Sequence, residues 1–408
     1  MSTLTTSVIA ARWIFPISGP PFYHGWIRIR DQRVTEFGSG QAPRGAVDLG
    51  DVAILPQLVN AHTHLEFSDC TVPVGEVGVT LDQWIGEVVA ARKNATEESK
   101  AKAIRAGVEE SARAGVALVG EIATPPVVGT IEAGTIEEGG MEIISFAETL
   151  GLSESRGAER LAAARHHLQS FPTAGISPHA PYSTTPEVIQ QCIELAIRHR
   201  RPLAMHVAES PSERELLESA TGPMADRLKT MGVWREGLFP WPKDPFCHLI
   251  AMLAKAPRSL LIHGNDLRPN EMACVAKHPQ MTVVFCPRTH AFFGYPRHPV
   301  DLMLRHGIPV ALGTDSRASN PDLNLWDEVR FLLNHRQDLD PQDVLAMATI
   351  HGANALGRLD LGRIRGGSLA RFGCVPTDAC SLQEAMADLA RGDRLQPVFI
   401  PTCNPSGA

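Results

Sequence analysis

Eight short apolar runs, most of them separated by stretches long enough for a helix, constrain this chain more than any other feature. They lie at 52–58, 116–121, 142–146, 174–177, 203–206, 259–263, 282–286 and 309–313. Continuous rather than alternating apolar character marks strands buried on both faces, as in a parallel sheet covered by helices. Segments such as 97–114 and 185–200 have helical length and pattern. Eight such units favour a closed (β/α)8 barrel over an open doubly wound sheet. No glycine-rich phosphate fingerprint follows any run, which argues against a dinucleotide-binding fold.

The flanks read differently. In the first 54 residues, Trp26-Ile27-Arg28-Ile29-Arg30 alternates apolar and polar, and Asp31-Gln32-Arg33 supplies a turn before Val34-Thr35-Glu36-Phe37. That is the pattern of a small β-domain. The tail from 362 to 408 is strand-like again and then helical. The expected organisation is a small β-sandwich built from 1–54 and 362–408, enclosing a barrel over 55–361. The stretch 222–245 is long for a barrel connection and suggests a cap or lid.

Composition narrows the classes of function. Of 408 residues, 44% are apolar and 20% charged, and the net charge is −7 without a block of like charges. Such a chain has the profile of an ordinary soluble globular protein, with no sign of nucleic acid or an anionic membrane as partner. The N-terminal apolar run is interrupted by Arg12 and is too short for a signal or a membrane span. The eight cysteines include no C-x-x-C pair. They read as reduced thiols, and the expected location is the cytoplasm.

In barrels the chemistry sits at the C-terminal ends of the strands. The first run leads into Asn60-Ala61-His62-Thr63-His64. In an extended segment, residues two apart project to one side, so His62 and His64 can bind one ion. Alone, H-x-H is a weak signal. The fifth run ends in Met205-His206-Val207-Ala208-Glu209, the sixth in Ile262-His263-Gly264 and the eighth in Gly313-Thr314-Asp315-Ser316. The fourth ends in Ser177-Pro178-His179-Ala180-Pro181-Tyr182. Each alone fits a helix cap or a satisfied core residue. Five converging on one barrel mouth fit a site.

These motifs resemble the amidohydrolase superfamily. The branch is the one holding cytosine, guanine, S-adenosylhomocysteine and aminodeoxyfutalosine deaminases and the triazine hydrolases. The likeness runs from Leu55-Pro56-Gln57-Leu58-Val59-Asn60 to Gly352-Ala353-Asn354-Ala355-Leu356-Gly357. It implies a single divalent ion held by His62, His64, His206 and Asp315, with zinc the first choice and Fe2+ the alternative. It also implies Glu209 as general acid/base, and His263 with Asp315 as the groups that orient and deprotonate water. His179 resembles a substrate-contacting histidine. No lysine lies between Lys102 and Lys229, so the bridging carboxylated lysine of two-metal members is missing. Gln83 stands where an acidic ribose-binding residue is expected in S-adenosylhomocysteine deaminases, which counts against that substrate.

Trp84, Glu66, Arg288 and His290 are further candidate substrate contacts. Against each stands a plainer role: Trp84 as core, Glu66 as a loop brace, Arg288 paired with an acid, His290 in packing. The implied reaction is hydrolytic deamination of an amino-substituted heterocycle, purine nucleoside-like, with aminodeoxyfutalosine as the named candidate. It would proceed by attack of metal-activated hydroxide on a ring carbon, with release of ammonia. Hydrolysis of a cyclic amide, or loss of another leaving group, is the alternative at the same site. A non-catalytic scaffold fits less well, because all four ligand positions are filled. The expected partner is a small molecule, and a homodimer stays open as the assembly.

Overall fold

A computed structural model of the chain describes residues 6–124 and 140–400. Its N-terminal strands are β1 (Thr6–Ile14), β2 (Phe22–Arg30), β3 (Arg33–Ser39), β4 (Val47–Asp48) and β5 (Val52–Pro56). The barrel strands are β6 (Leu58–Thr63), β7 (Val116–Ala123), β8 (Glu142–Thr149) and β9 (Gly175–Pro178), then β10 (Leu203–Val207), β11 (Ser259–His263), β12 (Met281–Phe285) and β13 (Val310–Leu312). Near the end lie β14 (Phe372–Pro376) and β15 (Gln396–Pro397).

Strands β6 to β13 form one eight-stranded parallel sheet in sequence order. Its interior strands are buried along their whole length: all eight residues of β7 and all five of β10, β11 and β12. That is the two-sided burial the apolar runs predict. The sheet closes on itself through the loop after β13. Thr314 and Asp315 both donate their backbone N–H to the His62 carbonyl, at 3.1 Å. The Asn60 amide staples the same seam, donating to Thr314 Oγ1 at 2.8 Å and accepting from Thr314 N at 3.2 Å. Gly313 is required there, because a Cβ would stand 2.8 Å from the His62 carbonyl oxygen.

The small β-domain is a seven-stranded mixed sheet, ordered β15-β14-β5-β1-β2-β3 with β4 on β1. It corrects the first apolar run. Residues 52–58 are not one barrel strand: β5 pairs with β1 and β14, and only from Leu58 does the chain enter the barrel. Gln57 lies at the break, bonded to the Arg371 carbonyl at 2.9 Å. The chain therefore passes from one sheet to the other within a single apolar segment, which periodicity cannot divide.

Helices cover the barrel, several starting at proline behind a capping side chain. Thr185 accepts from Val188 N ahead of Pro186–His199, and Ser210 accepts from Glu213 N ahead of Pro211–Ser219. Proline at the first helical position lacks only an N–H that would be unpaired anyway. Among the described residues no helix is long and apolar enough to cross a membrane. The expectation of eight reduced cysteines is corrected at one pair. Cys247 and Cys274 form a disulfide with a Cα–Cα separation of 6.0 Å, joining helices Pro245–Leu253 and Pro269–Val275. Their 27-residue separation leaves no spacing signal in the sequence.

Candidate active site

The site lies at the C-terminal mouth of the barrel. His62 is carried within β6 and His64 just after it, while His206 sits near the end of β10. One nitrogen from each of these imidazoles falls within a single cluster less than 4.8 Å across. His64 Nε2 is 3.4 Å from His206 Nε2. Asp315 Oδ1 lies 3.5 Å from His62 Nε2 and 3.7 Å from His64 Nε2.

The three imidazoles are charge-neutral lone-pair donors. Burial, then the neighbouring His206 and His179, pushes His62 well below the usual histidine range. Burial likewise holds His64 well down and lowers His206. His206 Nδ1 donates to the His179 carbonyl at 2.8 Å, which turns its Nε2 lone pair into the cluster. The His62 ring is completely buried, and neither of its nitrogens has a hydrogen-bond partner among the described residues. A buried imidazole with both nitrogens unmatched is costly. A cation among the three rings would take up the lone pair of one of those nitrogens, so this donor set fits a divalent ion.

Three residues here have left-handed backbones in spite of their Cβ atoms: Ala208 (φ 53°), His263 (φ 71°) and Asp315 (φ 56°). Such conformations cost energy and survive where the surroundings over-determine them. They end β10, β11 and the stretch after β13, and they turn Glu209, His263 and Asp315 over the mouth. Glu209 Oε1 faces His263 Nε2 at 3.5 Å, and Tyr182 donates its hydroxyl to Glu209 Oε2 at 3.3 Å. Burial, then the charges of Glu213 and Asp315, raises the Glu209 carboxyl well above the usual carboxylate range. Asp315 Oδ2 accepts from Ser319 Oγ at 2.7 Å. The His263 carbonyl faces His298 Nε2 at 3.0 Å, a brace that no motif signals.

A cavity of about 520 Å³ opens above the cluster. His64, Glu66, Trp84, His179, His206, Glu209, His263 and Asp315 line it, so most of the predicted site residues meet in one place. His179 Nδ1 is 2.6 Å from Ser183 Oγ. Trp84 donates its indole N–H to the Ala318 carbonyl at 3.3 Å. Glu66 accepts from Thr124 Oγ1 at 2.7 Å and faces Lys100 Nζ at 3.5 Å, so it both lines the cavity and braces its loop.

Arg288 and His290 are the corrections. Neither reaches the cavity. The Arg288 guanidinium is bound by Glu328 Oε1 at 2.7 Å and by the two Asp322 oxygens at 2.6 and 3.0 Å. His290 is buried among Phe285, Tyr295 and His298. The helix Pro287–Phe292, which starts directly after β12, turns both side chains away from the mouth.

Several cavity residues escaped the sequence reading. Glu148, from the end of β8, accepts from Thr124 Oγ1 at 3.3 Å and is pushed up to about 7 by burial and the Glu66 charge. The outer wall is apolar, with Ile85, Val88 and Val89 facing Met224, Leu228 and Met231. The segment 222–245 thus supplies one wall through its helix Pro223–Thr230. Arg156 and Arg227 complete that wall, and neither makes an ion pair among the described residues. Arg227 lies across Gly86, where a Cβ would collide with its guanidinium. Glycine inside the helix Leu81–Ala91 costs about 1 kcal/mol relative to alanine, and here it makes room for that group.

Comparison with known proteins agrees with this geometry. Residues 53–401 match the Amidohydrolase family. An aminodeoxyfutalosine deaminase of Deinococcus radiodurans is 30% identical over 333 residues, covering 78% of this chain and 76% of that one. The Helicobacter pylori aminofutalosine deaminase, solved with methylthio-coformycin, superposes with a TM-score of 0.83 at 22% identity, covering 96% of this chain and all of that one. A zinc-bound adenosine deaminase of Xanthomonas campestris gives 0.73 at 22% identity, over 96% and 91% of the two chains. The chain belongs to the amidohydrolase family and is a hydrolase acting on carbon–nitrogen bonds other than peptide bonds.

Proposed function

We propose that this enzyme is a mononuclear, metal-dependent aminohydrolase that deaminates a purine-type nucleoside carrying an extended substituent. Its first-choice substrate is aminodeoxyfutalosine. The observation that carries the reading is the pairing of a three-imidazole cluster with Glu209, a buried carboxyl whose proton affinity is raised, in one cavity.

His62, His64, His206 and Asp315 would hold the ion, and nitrogen and oxygen donors of this kind suit zinc. A bound divalent ion supplies Lewis acidity that makes water acidic enough to react near neutral pH. Glu209, whose proton affinity is raised by burial, would donate a proton to a ring nitrogen as water adds to the ring carbon bearing the amino group. Asp315 and His263 take the proton that the water loses. Glu209 then takes the proton of the adduct's hydroxyl group and passes it to the amino group; the carbon–nitrogen bond breaks as the carbonyl forms, ammonia leaves, and the proton held by Asp315 or His263 restores Glu209. One placed acid/base of this kind contributes about 10²–10⁴-fold.

The apolar outer wall and the guanidinium groups of Arg156 and Arg227, which make no ion pair among the described residues, support a substrate longer than a free base. Arginine pairs well with carboxylates, and a carboxylate at the end of an apolar arm would meet Arg156 and Arg227. The test is ammonia release from free aminopurine bases, plain aminopurine nucleosides and aminodeoxyfutalosine, with metal content measured on the same sample. The expected order of kcat/KM has aminodeoxyfutalosine first. Full metal occupancy with ammonia from none of them would overturn the reading and direct attention to cyclic amides.

A further inference from the structure

Glu213 lies near the mouth, yet it neither lines the cavity nor pairs with a cation within 4 Å among the described residues. It is completely buried. Arg214, next in sequence, gives its guanidinium to Asp266, Glu218 and Glu271 instead. A buried, unpaired carboxylate is costly, and an apolar residue of similar size would remove the cost.

Its hydrogen bonds show what it does. Ser210-x-x-Glu213 reads as a capping box, in which the glutamate would reach back to the N-cap N–H. Ser210 Oγ does accept from Glu213 N, at 3.2 Å. The Glu213 carboxylate, however, passes the N-cap and accepts from Ala208 N at 3.0 Å and Glu209 N at 2.6 Å, one on each oxygen. Ala208 is the left-handed residue of this turn. From the other side, Asp266 N donates to the Ala208 carbonyl at 2.8 Å and Asn265 Nδ2 to the Glu209 carbonyl at 3.0 Å. Glu209 is therefore gripped at both its N–H and its carbonyl, by loops from two neighbouring strands.

We propose that Glu213 is a positioning residue for Glu209, holding the strained turn that carries the Glu209 carboxyl over the site. The proposal rests on the reading of Glu209 as the acid/base.

Glu213→Gln tests this, because the amide puts a donor where one backbone N–H needs an acceptor. A displacement of about 1 Å at the reacting group costs about 10²-fold, so kcat should fall by about that factor. KM, metal content and cooperative thermal unfolding should stay near wild type. The double variant Glu209→Gln/Glu213→Gln should be no slower than Glu209→Gln, since residues acting through one group do not add. A crystal structure of Glu213→Gln should show the Ala208 turn relaxed and the Glu209 carboxyl withdrawn from His263. An unchanged kcat, a loss confined to thermal stability or KM, or additive losses in the double variant would each overturn the proposal. If no amino-heterocycle is turned over by the wild type, the deaminase reading fails by itself. The crystal structure still decides: an unmoved turn and carboxyl overturn the positioning role.

Discussion

Two buried polar clusters sit side by side at the end of this barrel, and both drew attention in the sequence. One is the His62, His64, His206 and Asp315 group. The other is Arg288 with Glu328 and Asp322. They differ in how far their bonding is complete. The Arg288 guanidinium donates to three carboxylate oxygens, and Glu328 also accepts from Asn320 Nδ2 at 2.6 Å and from Arg288 N at 2.9 Å. In the histidine cluster both His62 nitrogens lack a hydrogen-bond partner among the described residues, and the rings are held in the neutral, lone-pair form by burial. The lesson is that a buried polar set with its bonding finished supports structure. A set left open, on a strained backbone, is prepared for something that arrives.

The sharpest way to break that contrast is Glu209→Gln. It should keep the metal and lose about 10²–10⁴-fold in kcat. Near wild-type turnover, measured with metal content on the same sample, would remove Glu209 from the chemistry. Glu328→Ala tests the other side. Removing the partner of a buried charge costs about 3–5 kcal/mol, read by denaturant or thermal unfolding, while KM and metal content of the folded enzyme stay those of wild type. A rise in KM as large as the loss of stability would place the Arg288 cluster in the site after all.

A smaller effect lies between the two, at Glu148, which lines the cavity yet is bonded to Thr124. Its folded-state pKa is raised from 4.5 to about 7, by burial first and then by Glu66. A raised carboxyl favours the folded protein below the unfolded pKa, and that contribution disappears as pH rises through the folded value. At about 1.4 kcal/mol per unit the span corresponds to about 3 kcal/mol at most. Glu148→Gln has no such titration. Its stability relative to wild type should therefore improve between pH 4.5 and pH 8, as followed by thermal unfolding across that range. A difference independent of pH would show that Glu148 does not titrate there.

Much of this was legible early because it depends on local pattern. Buried strands must be continuously apolar, so the barrel was visible as eight runs. A polar residue ending such a run needs a partner, so His206, His263 and Asp315 stood out. The chain's passage between sheets at Gln57 was not legible, since β5 and β6 are equally apolar and differ only in their neighbours. Arg288 misled for a related reason. It follows β12 as the cavity-lining His263 and Asp315 end or follow their strands, but the helix beginning at Pro287 turns it toward Glu328, 40 residues further on.

The cavity wall was hidden as well. Arg227 matters only because Gly86, far away in sequence, leaves space for it. Glu213 fits the Ser-x-x-Glu pattern of a helix cap, and only its distances to Ala208 N and Glu209 N show that it reaches further. By itself, then, the sequence determined the strand count and which histidines and acids end the strands, because hydrophobic burial and the need of a buried polar group for a partner act through residue type and short spacing. The tertiary structure alone decided which carboxylates and guanidinium groups are already paired and which face the cavity. Hydrogen bonds and ion pairs form across a few ångströms between segments that the chain order keeps far apart.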